Sequence, residues 1–138
     1  MTPQPATSTT KRRILETVKT LAVVGLSSRP GRPGYYVPAY MQQVGYRIIP
    51  VNPNLEQTLN EKAYPDLAAV PEPVDLVLIF RRPEEVPPVV DQAIEIGAKV
   101  IWMQLGIVNE EAATKAEAAG LEVVMDSCIM VDHRQLLG

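Results

Sequence analysis

The sequence is poor in the residues from which metal and redox sites are built. Its 138 residues hold one cysteine, Cys128, and one histidine, His133. An intrachain disulfide is therefore excluded, a reducing compartment fits, and too little material remains for a Cys and His metal site, so no metal is expected. No apolar run approaches the ~18 residues that a membrane span needs. The N-terminal MTPQPATSTT has neither the basic start nor the apolar core of a signal peptide. The expectation is a cytoplasmic protein with no membrane partner. There is also no surplus of basic charge: 13 Lys and Arg against 16 Asp and Glu give a net charge of -3, which argues against a general nucleic-acid binder.

What is present suits a folded domain. Hydrophobic residues make up 46% and charged residues 21%, too apolar for disorder and ordinary for a globular core. The polar residues 1–10, with prolines at 3 and 5, read as a mobile tail, leaving 11–138 as one domain. Ile14, Leu15 and Val18 lie at helical spacing, so a short amphipathic helix is expected from Lys11 to Thr20. Apolar segments at 21–24, 46–51, 74–80, 99–105 and 121–125 read as strands. The nearly unbroken VDLVLIF of 74–80 has the character of a strand covered on both faces. Between them, Val37, Tyr40, Met41 and Val44 mark one helix face, Val86, Val89, Val90 and Ala93 a second, and the alanine-rich stretch capped by Asn109 a third. Residues 52–67 read as irregular or briefly helical. Alternation of this kind gives an α/β fold: a Rossmann-like doubly wound sheet of about five parallel strands in three layers.

In such a sheet, ligands bind beyond the carboxyl ends of the strands where the strand order reverses. The rule gathers 25–34, 52–54, 80–83, 104–106 and 126–128. The first is the richest, since Ser27, Ser28, Arg29, Gly31, Arg32 and Gly34 lie between a strand and a helix start. Hydroxyls, flexible glycines, guanidiniums and helix N–H groups are what a polyphosphate requires. The same stretch also reads as an ordinary strand-to-helix connection. A nicotinamide dinucleotide fits poorly, because G-x-G-x-x-G is absent and the second strand ends in Val51, Asn52, Pro53 rather than in an acid. A longer loop with arginines suits a ligand with phosphate beyond the pyrophosphate, as in coenzyme A. Arg81 and Arg82 serve equally as a solvated pair or as phosphate ligands. Helical phase assigns Tyr40 to the core and leaves Tyr35 or Tyr36 for a pocket, and Trp102 reads as a core residue. Cys128 reads as a small hydrophobe. His133 beside Asp132 has no nucleophile in a recognised motif next to it.

Taken together, VVGLS, RP-x-YYV, GYRIIPVNP, FRRP, GAKVIWMQLG and VVMD-x-C make the chain resemble, over roughly residues 14–137, the small single-domain CoA-binding proteins. These look like the nucleotide-binding domain of the succinyl-CoA synthetase α subunit. The resemblance implies that Gly25, Ser27, Ser28 and Arg32 lie near phosphates, that Asn52, Pro53, Phe80, Arg81 and Arg82 surround the adenosine portion, and that Gln104 and Gly106 lie further along the ligand. Arg29, in the same loop, and Tyr35 complete the candidate set. Two positions depart from the pattern: Gly34 stands where a Ser-like cap is expected, and Asn60 where glycine is common. The resemblance supplies binding residues and no catalytic ones. The expectation is thus a carrier, sensor or regulatory module for CoA or acyl-CoA, with a protein partner or homo-oligomer left open. The alternatives are a small enzyme acting on an acyl-CoA or using a nicotinamide, and an assembly partner that binds no ligand.

Overall fold

The computed structural model describes residues 5–138; residues 1–4 of the expected tail lie outside them. The helix expected from Lys11 begins earlier. α1 spans Ser8–Thr17, because the Thr7 side chain accepts the N–H of Thr10 and caps the first turn. The backbone is extended at Val18, and β1 occupies Thr20–Val24. Then follow α2 (Pro33–Gln43), β2 (Arg47–Val51), β3 (Gln57–Thr58), β4 (Glu61–Lys62), β5 (Leu76–Ile79), α3 (Val86–Glu95), β6 (Val100–Met103), α4 (Glu110–Ala118), β7 (Glu122–Val124) and α5 (Ile129–Leu136).

Five strands form one parallel sheet in the order β2-β1-β5-β6-β7. Alternate residues of each strand face opposite layers, so both faces are apolar. Ala22, Val24, Val77, Ile79, Ile101 and Met103 pack with Val86, Val90 and Ala93 of α3 and Ala112, Ala113 and Ala116 of α4. Leu21, Val23, Leu76, Leu78, Val100 and Trp102 pack with Ile14 and Leu15 of α1, Val37 and Met41 of α2, and Ile129 of α5. The expected three-layer architecture is what forms. Trp102 is fully buried in it, with its indole N–H donated to the Ser127 carbonyl at 2.9 Å. Val44 departs from expectation: α2 ends at Gln43, and Val44, as its C-terminal cap, is 41% exposed.

The segment after β2, expected to be irregular or briefly helical, is ordered at its centre and ends in a single 3-10 turn at Leu67–Ala69. β3 and β4 form a small antiparallel ribbon whose turn places Leu59 and Asn60 at φ +54° and +59°. Asparagine tolerates that left-handed conformation, which accounts physically for the departure from glycine at position 60. The ribbon is tied to β2 by Arg47, which pairs with Glu61 at 2.6 Å and Glu72 at 3.1 Å. These two carboxylates hold the Arg47 guanidinium well above its ordinary pKa.

The connection from β1 to β2 runs through α2 on one face, whereas those from β5 to β6 and from β6 to β7 run through α3 and α4 on the other. Winding therefore reverses between β1 and β5. Their carboxyl ends, Val24–Gly25 and Ile79–Phe80, lie side by side at the switch point.

Candidate functional site

Gly25 fixes this switch point. It has φ +87°, and a Cβ added to it would lie 2.2 Å from the Phe80 carbonyl oxygen. Only glycine satisfies both the conformation and the approach. Its N–H donates to Val51 O at 2.9 Å, and Phe80 N–H donates to Val24 O at 2.9 Å, so the loops after β1 and β5 leave the sheet in contact.

α2 starts with Pro33 in its first turn, and its N-cap, Arg32, makes no side-chain cap bond. The helix also contains Pro38. A proline there has no N–H for the carbonyl four residues earlier, that of Gly34. That carbonyl instead accepts the N–H of Ser27 at 2.9 Å. Ser27 is held further by its carbonyl, which accepts the Thr58 hydroxyl at 3.3 Å, and its own Oγ accepts the Arg29 N–H at 3.0 Å. Next to it, Asn52 Nδ2 donates to Leu26 O at 3.1 Å. A Cβ at Gly34 would make only ordinary contacts, the nearest at 3.4 Å to Gly25 O. No clash therefore demands glycine where a serine was expected.

The space between the two loops is an open cleft of about 640 Å3, lined among others by Gly25, Ser27, Arg29, Arg32, Phe80, Arg81 and Arg82, a size suited to a small-molecule ligand. Pro83, Glu85 and Ile107 also line it. Arg82 pairs with Glu85 at 3.2 Å and Glu84 at 3.6 Å. This hydrogen-bonded guanidinium holds the Glu85 carboxyl below its usual range. Among the described residues, no ion pair involves Arg29, Arg32 or Arg81. The FRRP loop is anchored through Asn109, which caps α4 with Oδ1 and donates from Nδ2 to Pro83 O at 2.9 Å. An adjoining depression, lined by Pro53, Asn54, Arg81, Glu84, Glu85, Pro88 and Val89, shares Arg81 and Glu85 with the cleft.

The sequence-selected residues thus divide. Gly25, Ser27, Arg29, Arg32, Phe80, Arg81 and Arg82 converge on the cleft, and Pro53 lies in the adjoining depression. Ser28 is exposed, and neither it nor Tyr35 lines the cleft. Asn52 is occupied internally, donating to Leu26 O and accepting the Asn54 N–H. Gln104, 5% exposed, accepts the Ile129 N–H at 3.3 Å. Gly106 has φ +84° and donates its N–H to Asp126 Oδ1 at 2.7 Å. Sequence reasoning missed Glu85, Ile107, Pro38 and Thr58. Of these, Pro38 carried a visible signal, as a proline inside a helical pattern.

The other polar clusters are engaged within the fold. Lys11 Nζ donates to Ser127 Oγ at 2.9 Å and lies 3.4 Å from Asp132 Oδ2, to which Ser127 donates at 2.5 Å. Tyr40 Oη lies 2.7 Å from His133 Nδ1. Cys128, half-buried, precedes α5 as its N-cap. Among the described residues, no group of three or more His, Cys, Asp or Glu is placed to hold a metal, and no helix is long and apolar enough to cross a membrane.

Fold and cleft define a doubly wound α/β domain with a basic site at its switch point. Residues 19–134 match the CoA binding domain family, and the chain belongs to it. It is 45% identical over 122 residues to the uncharacterized protein YneT of Bacillus subtilis, covering 88% of this chain and 90% of that one. A solved structure of a hypothetical protein from Pyrococcus horikoshii superimposes with a TM-score of 0.94 at 38% identity, covering 100% of this chain and 99% of its counterpart. An ADP-forming acetate–CoA ligase of Archaeoglobus fulgidus is 33% identical over 101 residues, 72% of this chain and only 15% of the ligase.

Proposed function

We propose that the cleft binds coenzyme A or an acyl-CoA through its phosphates, and that the protein is a carrier, sensor or regulatory module for that ligand. The observation that carries this reading is the convergence of Arg29, Arg32, Arg81 and Arg82 on one cleft at the switch point. Guanidiniums bind phosphate oxygens in forked, charge-assisted pairs, and the tetra-anionic charge of a 3'-phosphorylated nucleotide suits several of them. Membership of the CoA binding domain family supports the same ligand. The adenosine portion would extend toward Pro53 in the depression that shares Arg81. The likeness to the α subunit of succinyl-CoA synthetase belongs to this proposal as well.

Two observations favour binding over the enzymatic alternatives. β2 ends at Val51 and Asn52 follows it, so no carboxylate stands there to accept both hydroxyls of a ribose diol, and the Asn52 amide is already bonded to Leu26 O and to the Asn54 N–H. His133 is engaged by Tyr40, and Asp132 by Lys11 and Ser127, a poor arrangement for activating Cys128.

Calorimetry with CoA, dephospho-CoA, NAD and NADP tests the proposal. Saturable CoA binding is expected, with dephospho-CoA weaker by about 1.5 to 3 kcal/mol, the scale of a charged hydrogen bond. No saturable binding of CoA below millimolar concentration removes it.

A further inference from the structure

We infer that Pro38 and Thr58, neither of which lines the cleft, are positioning residues that preorganise the Ser27 loop for a phosphate ligand; the inference rests on the reading of the cleft as a CoA site. Pro38 sits in the middle of α2, where a proline weakens a helix. Its place in the structure shows what the weakened helix provides. In a regular helix the Gly34 carbonyl would accept an N–H from residue 38; here it accepts the Ser27 N–H at 2.9 Å instead. The Ser27 carbonyl is gripped from the other side by the Thr58 hydroxyl at 3.3 Å. Thr58 is 8% exposed and stands on the β3–β4 ribbon, which Arg47 fastens to the sheet. Ser27, which lines the cleft, therefore has its N–H bound to α2 and its carbonyl bound to the ribbon, while its Oγ accepts the Arg29 N–H.

The consequence is a fixed peptide orientation. With the Ser27 and Leu26 carbonyls held by Thr58 and Asn52, these oxygens are turned to the protein and kept from an incoming phosphate, which they would repel. A ligand then meets a loop that needs little ordering on binding, and preorganisation of this kind raises affinity without a new contact. The helix is weakened at Pro38 in exchange for a rigid anion-binding loop, so stability and affinity should respond in opposite directions to the same substitution.

Three variants test this: Pro38→Ala, Thr58→Val and the conservative Thr58→Ser. Pro38→Ala is expected to be as resistant to urea as the parent, or more so, yet to bind CoA about threefold to tenfold more weakly. Thr58→Val should lose affinity to a similar degree for CoA and dephospho-CoA alike, leaving their ratio unchanged, because the proposed site sends the adenosine portion, with its 3'-phosphate, toward Pro53 and leaves the pyrophosphate to the Ser27 loop. Thr58→Ser should restore parental binding. In unliganded protein, the Ser27 amide should exchange its hydrogen faster in Pro38→Ala and Thr58→Val. CoA affinities within about twofold of the parent in both variants overturn the inference while leaving the CoA site intact. If the parent itself binds no CoA, the functional reading falls. Ser27 exchange then decides alone: acceleration confined to that loop upholds the preorganisation, and unchanged exchange overturns it.

Discussion

The rim of the cleft and the junction of α1 with α5 both gather charged side chains, and they treat charge in opposite ways. At the junction, Lys11 and Asp132 are 20% and 12% exposed in their side chains, and the Ser127 hydroxyl is bonded to both. Every charge there has a partner. At the rim, Arg82 is 76% exposed and faces two glutamates, while Arg29, Arg32 and Arg81 form no ion pair among the described residues. Burying an unpaired charge costs several kcal/mol, so the junction could not exist half-built. An exposed guanidinium bears no such cost, and surface pairs contribute ~1 kcal/mol or less. Folding therefore explains the charges of the junction and does not explain why four arginines surround one concavity. The difference separates residues that hold the fold from residues available to a ligand.

The substitution with the largest expected effect strikes the one point where the fold and the cleft depend on the same residue. Gly25→Ala would put a methyl group 2.2 Å from the Phe80 carbonyl in a backbone with φ +87°. Phe80 is backbone-bonded to β1 and Gly25 to β2, so neither can retreat without opening the sheet at the switch point. A loss of about 3 kcal/mol or more, or failure to fold, is expected from the combined clash and strain. Urea denaturation gives the answer, and an alanine variant within about 1 kcal/mol of the parent would show that the loops separate easily.

Next comes a reciprocal pair that sharpens the comparison. Asp132→Ala leaves the Lys11 ammonium and the Ser127 hydroxyl without their shared partner, at an expected cost of about 2 to 4 kcal/mol in stability. CoA affinity should stay within about twofold, because the junction lies off the cleft. Arg32→Ala should do the reverse. Arg32 makes no side-chain cap bond to α2, so stability should move by about 0.5 kcal/mol or less. CoA affinity should fall about tenfold or more with the loss of a charged contact. Thermal unfolding and calorimetry on both proteins are needed. A stability loss in Arg32→Ala, or an affinity loss in Asp132→Ala, would erase the distinction between the two regions.

The same division explains how much the sequence discloses. Strand and helix placement follow from apolar periodicity, and the switch-point loops follow from the topology that periodicity implies, which is why the arginines of 29–32 and of FRRP are found together in the cleft. Single-residue roles are less legible where they depend on what an element docks against. Gln104 stands in the loop after β6, and that its amide oxygen accepts the Ile129 N–H is fixed only once α5 is in place. Asn52 likewise serves the Leu26 carbonyl and its own turn. The β3–β4 ribbon is not legible in the sequence because a two-residue turn with both residues left-handed usually announces itself with Asn-Gly, and here Leu59 takes the first position. Pro38 was visible, but its meaning lay in the Ser27 N–H that takes the vacated carbonyl.

The smallest predicted effect concerns His133, which lies on α5 beyond the junction and belongs to the structural side of the comparison. Burial lowers its pKa from the ordinary 6.5. Its ring meets Tyr40 through the 2.7 Å bond and Tyr46 edge-on at 5.9 Å, and the Arg134 guanidinium stands 4.9 Å from the centre of the Tyr40 ring. Because the folded state disfavours the imidazolium, the unfolded chain binds more protons below pH 6.5. The stabilisation is thus fully present above that pH and is lost as the pH falls through the lower, folded value. Urea midpoints measured from about pH 7.5 down to about pH 5.5 should decline in the parent and decline less in His133→Gln, which retains a polar partner for Tyr40. CoA affinity, corrected for the phosphate's own titration, should follow no such difference between the two proteins. An equal decline in both would assign the pH response to other groups. A difference that appears in CoA affinity instead would place His133 on the ligand's side of the molecule.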